Sequence, residues 1–137
     1  MNTICVEIVI PQLAEKGGLD RILNDFAEYV SQKEDFELRF VQLVDTGLVW
    51  WNDVCSVVNL CKAGENPSFM DTAAAYANYL ETAMEKPDVI LATGWPVTIT
   101  ILREALRRTG LKILLIGYPH MTFQEGQEHG VGTIQDL

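Results

Sequence analysis

The sequence predicts a doubly wound α/β fold: a parallel sheet in the order 3-2-1-4-5, helices on both faces, and the three-layer sandwich of Rossmann-like domains. Three observations lead there. Apolar, β-branched runs alternate with amphipathic helical stretches along the chain, the pattern of right-handed crossovers feeding a parallel sheet. The runs Ile4-Cys5-Val6-Glu7-Ile8-Val9-Ile10, Asp88-Val89-Ile90-Leu91-Ala92 and Lys112-Ile113-Leu114-Leu115-Ile116-Gly117 are apolar at nearly consecutive positions, as strands covered on both faces require. A length of 137 residues, 48% hydrophobic and 21% charged, suits one folded domain over residues 1–137 with a sizeable core.

The first strand is expected over residues 3–10. The first helix is expected over 19–32, with Leu19, Ile22, Leu23, Phe26 and Val30 on one stripe. Between them stands Gly17-Gly18-Leu19-Asp20-Arg21. Two glycines at a strand-to-helix junction let the backbone approach a ligand closely. They also leave the first helical N–H groups aimed at it, where the helix dipole favours an anion such as phosphate. A tight turn with no ligand accounts for the pair equally well. Phe36–Val44 reads as a second strand and Val57–Leu60 as a short third one, with Trp50 and Trp51 packed beside it.

Asn66-Pro67-Ser68 opens the next helix, with Asn66 or Ser68 as the cap and Pro67 in the first turn. That helix carries Phe69, Ala73, Tyr76, Ala77, Leu80 and Met84 on its core face and ends by Lys86-Pro87. Residues 88–92 form the fourth strand, Thr93-Gly94-Trp95-Pro96 a turn, and Pro96 starts a helix that stops near Thr109-Gly110. The fifth strand covers 112–117. Tyr118-Pro119-His120-Met121 and a Gly- and Glu-rich loop follow, and 133–137 reads as the beginning of another helix.

A net charge of −9 argues against overall attraction to nucleic acid or anionic membrane. Arg103, Arg107, Arg108 and Lys112 lie close together, opposed locally only by Glu104. Such a cluster suits phospholipid head groups or a phosphate-bearing acceptor, but the ordinary account is a solvated helix end, where cations complement the dipole. Three cysteines, Cys5, Cys55 and Cys61, have no metal-type spacing. Cys5 is expected to be a small buried hydrophobe, and a Cys55–Cys61 disulfide is conceivable. The start of the chain does not read as a secretory signal and no apolar run is long enough to span a bilayer, so the expected location is the cytoplasm. The sequence carries no Gly-x-Gly-x-x-Gly, Walker loop, nucleophile with its base, or receiver-type acidic pair after the first strand.

In the order 3-2-1-4-5 a ligand crevice lies at the carboxyl ends of the strands, beside the switch between strands one and four. Residues 11–18, 93–97 and 118–123 are expected to converge there. His120 stands just after the fifth strand at this edge, where an imidazole can bond a ligand hydroxyl or hold a proton; a lone histidine at a strand end is otherwise a structural hydrogen-bonding residue. Trp95 suits stacking on an apolar ligand face and equally suits capping the core beside Pro96. His129 is expected to be a surface loop residue.

Three segments carry a resemblance. Gly17-Gly18-Leu19-Asp20-Arg21 resembles the Gly-Gly-x-acid-Arg opening of family 4 retaining glycosyltransferases of the GT-B fold. Lys86-Pro87-Asp88-Val89-Ile90-Leu91 is similar to the fourth strand of that family, and Ile116-Gly117-Tyr118-Pro119-His120-Met121 to a Trp-Pro-His segment in members like lipopolysaccharide core galactosyltransferases. The resemblance implies the N-terminal, acceptor-side domain of a two-domain enzyme. The C-terminal donor domain, with its paired glutamates seven residues apart, is not expected in this chain; Glu125-Gly126 stands in the wrong context to supply that signature.

It implies a catalytic or sugar-contacting His120, donor phosphates near Gly17 and Gly18, and substrate contacts from Thr93, Gly94, Trp95, Tyr118 and His120. It also implies a UDP- or GDP-sugar donor as substrate, no tightly bound cofactor and no metal, and a glycan or lipid-linked acceptor. Peripheral contact with the inner face of a membrane and self-association of the isolated domain are further expectations. The segment Pro11–Lys16 is longer and more charged than a minimal glycine loop. The alternative is a stand-alone flavodoxin-like or Rossmann-like binding or signalling domain without transferase activity.

Overall fold

The computed structural model describes residues 3–12, 18–44, 56–62, 67–94 and 96–119. Eight elements follow in order: β1 (Ile4–Gln12), α1 (Gly18–Ser31), β2 (Phe36–Val44), β3 (Ser56–Cys61), α2 (Phe69–Thr82), β4 (Val89–Gly94), α3 (Pro96–Thr109) and β5 (Leu114–Pro119). All strand pairings are parallel and the sheet order is β3-β2-β1-β4-β5, the doubly wound arrangement expected from the sequence.

Strand alternation divides the core in two. On one face Ile8, Ile10, Leu38 and Phe40 meet Leu23, Ala27 and Val30 of α1. On the other, Val9, Val41, Leu43, Ile90 and Ala92 meet Ala73, Tyr76, Ala77 and Leu80 of α2 and Val97, Ile101, Leu102 and Ala105 of α3. β5 is an edge strand. Leu115 packs against the α2–α3 side, but Leu114 and Ile116, 60% and 45% exposed, stand on the opposite side, where among the described residues no helix covers them. The continuous apolar run therefore does not give burial on both faces here. Gly117 has a packing reason instead: a Cβ at this position would lie 2.6 Å from Ile99 Cδ1 of α3.

Several local expectations are corrected. Phe26 is only partly covered, 38% exposed, and Ala27 is the buried residue beside it in the α1 stripe. The cap of α2 is Ser68, whose hydroxyl accepts from the Asp71 amide at 3.1 Å while the Asp71 carboxylate accepts from the Ser68 amide at 3.2 Å. Pro67 therefore precedes the cap instead of lying in the first turn. α2 ends at Thr82, short of Lys86-Pro87, and Met84 beyond it is fully exposed, not core. Trp50, Trp51 and Cys55 lie outside the described residues; Cys5 and Cys61 are buried.

The most polar part of the interior was hidden in the first apolar strand. Glu7 is wholly buried and accepts from Arg39 Nε at 2.8 Å, from the Tyr79 hydroxyl at 2.8 Å and from the Tyr76 hydroxyl. β1 and β2 place Glu7 directly beside Arg39. Arg39 donates its remaining reach to the Glu85 carbonyl at 3.0 Å and lies over the Tyr79 ring. At the same end of the sheet Asp88 pins β4 to β1, its carboxylate accepting from the Cys5 amide at 2.8 Å and its own amide donating to the Cys5 carbonyl at 2.9 Å.

Candidate functional site

β1 and β4 pair from Val6↔Val89 to Val9↔Ala92, and their regular ladder ends there, two residues before Pro11, which has no N–H to carry it on. Both strands continue: β1 stays paired with β2 as far as Gln12↔Val44, and β4 with β5 as far as Gly94↔Pro119. The switch point between β1 and β4, at the carboxyl ends of the strands, is where doubly wound sheets bind ligands.

Thr93 and Gly94 were expected in a turn; they are the last two residues of β4. Thr93 is fully buried, and its hydroxyl donates to the Val9 carbonyl at 3.0 Å. It thus bridges the strands where the regular ladder stops, and its proton is already engaged. The Thr93 hydroxyl therefore offers no free donor at this edge. Gly94 has φ 83°, a left-handed conformation that L side chains resist, and it turns the chain out of the sheet toward α3. A glycine here has a backbone reason independent of any ligand.

Two helices begin at this edge, α1 after β1 and α3 after β4, on opposite faces of the sheet. Both direct their amino ends, whose first N–H groups have no partner within the helix, toward the carboxyl edge of the sheet. Gly18 is the first residue of α1. Tyr118 is in register with Thr93 on β5, so its backbone reaches the same edge. Gly17, Trp95 and His120 lie outside the described residues, as does His129. The described structure therefore gathers Gly18, Thr93, Gly94 and Tyr118 at one edge by their backbones.

One residue at this edge was not singled out from the sequence. Thr98, in the first turn of α3, is fully buried and its hydroxyl has no hydrogen-bond partner. Its place two residues after the Trp-Pro turn offered a signal: a threonine at the start of a helix directly behind a switch-point strand. The basic cluster has the ordinary form. Glu104 accepts from Arg107 at 2.5 and 2.8 Å and from Arg108 at 3.2 Å, and these bonds, Arg107 first, hold its carboxyl down at about 2. Among the described residues no cluster of His, Cys, Asp and Glu is arranged to hold a metal ion, and no helix is long and apolar enough to cross a membrane.

No protein-family model and no curated protein matches the chain. Among solved structures, the chain is similar to the apo form of the lipopolysaccharide outer core galactosyltransferase WaaB, with 14% sequence identity and a TM-score of 0.64. The match covers 89% of this chain and 35% of that one, so the chain spans about a third of the length of the galactosyltransferase. At this identity the likeness establishes the fold: a Rossmann-like α/β domain of the kind found within a glycosyltransferase.

Proposed function

We propose that this chain is the acceptor-side domain of a retaining glycosyltransferase, one that moves a sugar from a nucleotide-sugar donor to a glycan or lipid-linked acceptor in surface polysaccharide synthesis. The observation that carries the proposal is the switch point between β1 and β4 in a fold that matches about a third of a galactosyltransferase. The partial coverage suits one half of a two-domain enzyme of the GT-B kind, family 4, whose second α/β half holds the UDP- or GDP-sugar.

In such a transfer the leaving group is a nucleoside diphosphate, and the barrier falls when oriented N–H groups stabilise its growing charge and the acceptor hydroxyl is held near the anomeric carbon. Gly17 and Gly18 at the start of α1 are proposed to face the donor phosphates. Thr93, Gly94, Trp95 and Tyr118 are proposed to shape the acceptor pocket, and His120, directly after β5, to contact the transferring sugar or the acceptor. No resident cofactor or metal has a role in this scheme. The site of action is the cytoplasmic face of the membrane, with Arg103 and Lys112, the cations of the cluster that do not bond Glu104 in the described geometry, available to head groups.

The experiment is an assay of the chain with a panel of sugar nucleotides, alone and fused to the coding sequence that follows it. No transfer by the chain alone and transfer by the longer protein, lost on His120→Ala, is the expected result. Turnover by the 137 residues alone refutes the half-enzyme proposal. A longer protein without transferase activity favours a binding or signalling domain.

A further inference from the structure

We draw no further inference here: the strongest candidate, the apolar side of the β5 edge that faces away from α2 and α3, where Leu114 and Ile116 stand exposed, carries none because nothing among the described residues shows what covers it.

Discussion

Replacing Arg39 with methionine should unfold a large part of the population, and the reason lies in what it leaves behind. Glu7 is fully buried, and its carboxylate is held by one cation and two phenol hydroxyls. Arg39 itself is only 13% exposed at its side chain, so little solvent screens the pair. Methionine keeps much of the aliphatic volume and removes the guanidinium, leaving a buried carboxylate with hydroxyl donors and no positive charge. Breaking one side of such a pair costs about 3–5 kcal/mol, against a total of about 5–15 kcal/mol for a domain of this kind. The double variant Glu7→Leu/Arg39→Met removes both charges. Its principal debit is the Tyr76 hydroxyl, buried and deprived of its acceptor, at about 1–3 kcal/mol. The double change should therefore cost less than Arg39→Met alone, with a coupling of about 2 kcal/mol in a double-mutant cycle. Urea unfolding followed by tryptophan fluorescence measures both. If Arg39→Met costs under about 1 kcal/mol at an unchanged denaturant slope, the premise of a buried charged carboxylate that depends on this cation is wrong.

Stability should fall on the alkaline side. Burial first, and the Glu7 carboxylate second, push the Tyr76 and Tyr79 hydroxyls above their ordinary 10.0, and burial raises the Cys5 thiol above 9.0. The unfolded chain loses these protons first, so their contribution is complete below about pH 9 and declines as pH rises through the ordinary values; Tyr79→Phe should flatten that decline in melting scans, and a rise in stability over the same range contradicts the assignment. On the acid side Glu104, held at about 2 against an ordinary 4.5, contributes above 4.5 and loses its contribution as pH falls toward 2; Glu104→Gln should remove that part of the acid limb in the same scans. Ser68→Ala removes the hydroxyl that accepts from the Asp71 amide, leaving the Ser68 amide's bond to the Asp71 carboxylate, and should cost about 1 kcal/mol, read from the urea midpoint. Gly94→Ala forces a side chain into a left-handed turn and should cost about 1–2 kcal/mol while moving the amide resonances of Val97 and Thr98.

The strand order, the bounds of β2 and the bounds of α3 were legible because each depends on signals a few residues long: alternation in Phe36–Val44, proline at the start and glycine after the end of Pro96–Thr109. Errors gathered where a neighbour in space decides. Phe26 and Ala27 both sit near the inward edge of the α1 stripe, and the smaller one is buried. Met84 continued the α2 stripe only on paper, since the helix stops at Thr82. Leu114 and Ile116 read as core because the run was apolar, but an edge strand is covered only where a helix crosses it. Glu7 was the more legible miss. A lone carboxylate in an apolar strand needs a cation, and Phe-Glu-Leu-Arg-Phe in the next strand offers Arg39 on the matching face. At the candidate site, topology placed Thr93, Gly94 and Tyr118 at one edge, as the order of strands required. That Thr93 spends its proton on Val9 could not be read, because it depends on where the ladder between two strands ends.

The two ends of the sheet follow opposite rules, and the difference bears on function. At the amino half, the Glu7–Arg39 pair and the Asp88–Cys5 bonds tie β1 to β2 and to β4 with all polar groups in the network matched. Movement of β4 against β1 at that end would expose a charge. At the carboxyl end the ladder between the same two strands stops after Val9↔Ala92, the Thr93 hydroxyl joins them beyond it, and an unmet hydroxyl, that of Thr98, stands on the following helix. A site that is to hold a charged ligand needs donors kept without partners, and donors without partners are tolerable only on a frame secured elsewhere. The buried network therefore has a reason to sit roughly 10 Å along the strands from Thr93 and not beside it. Placed at the carboxyl edge, the Glu7 carboxylate would compete for the helix-end donors and repel a phosphate; placed at the far half, it fixes the strands and leaves that edge electrostatically clear.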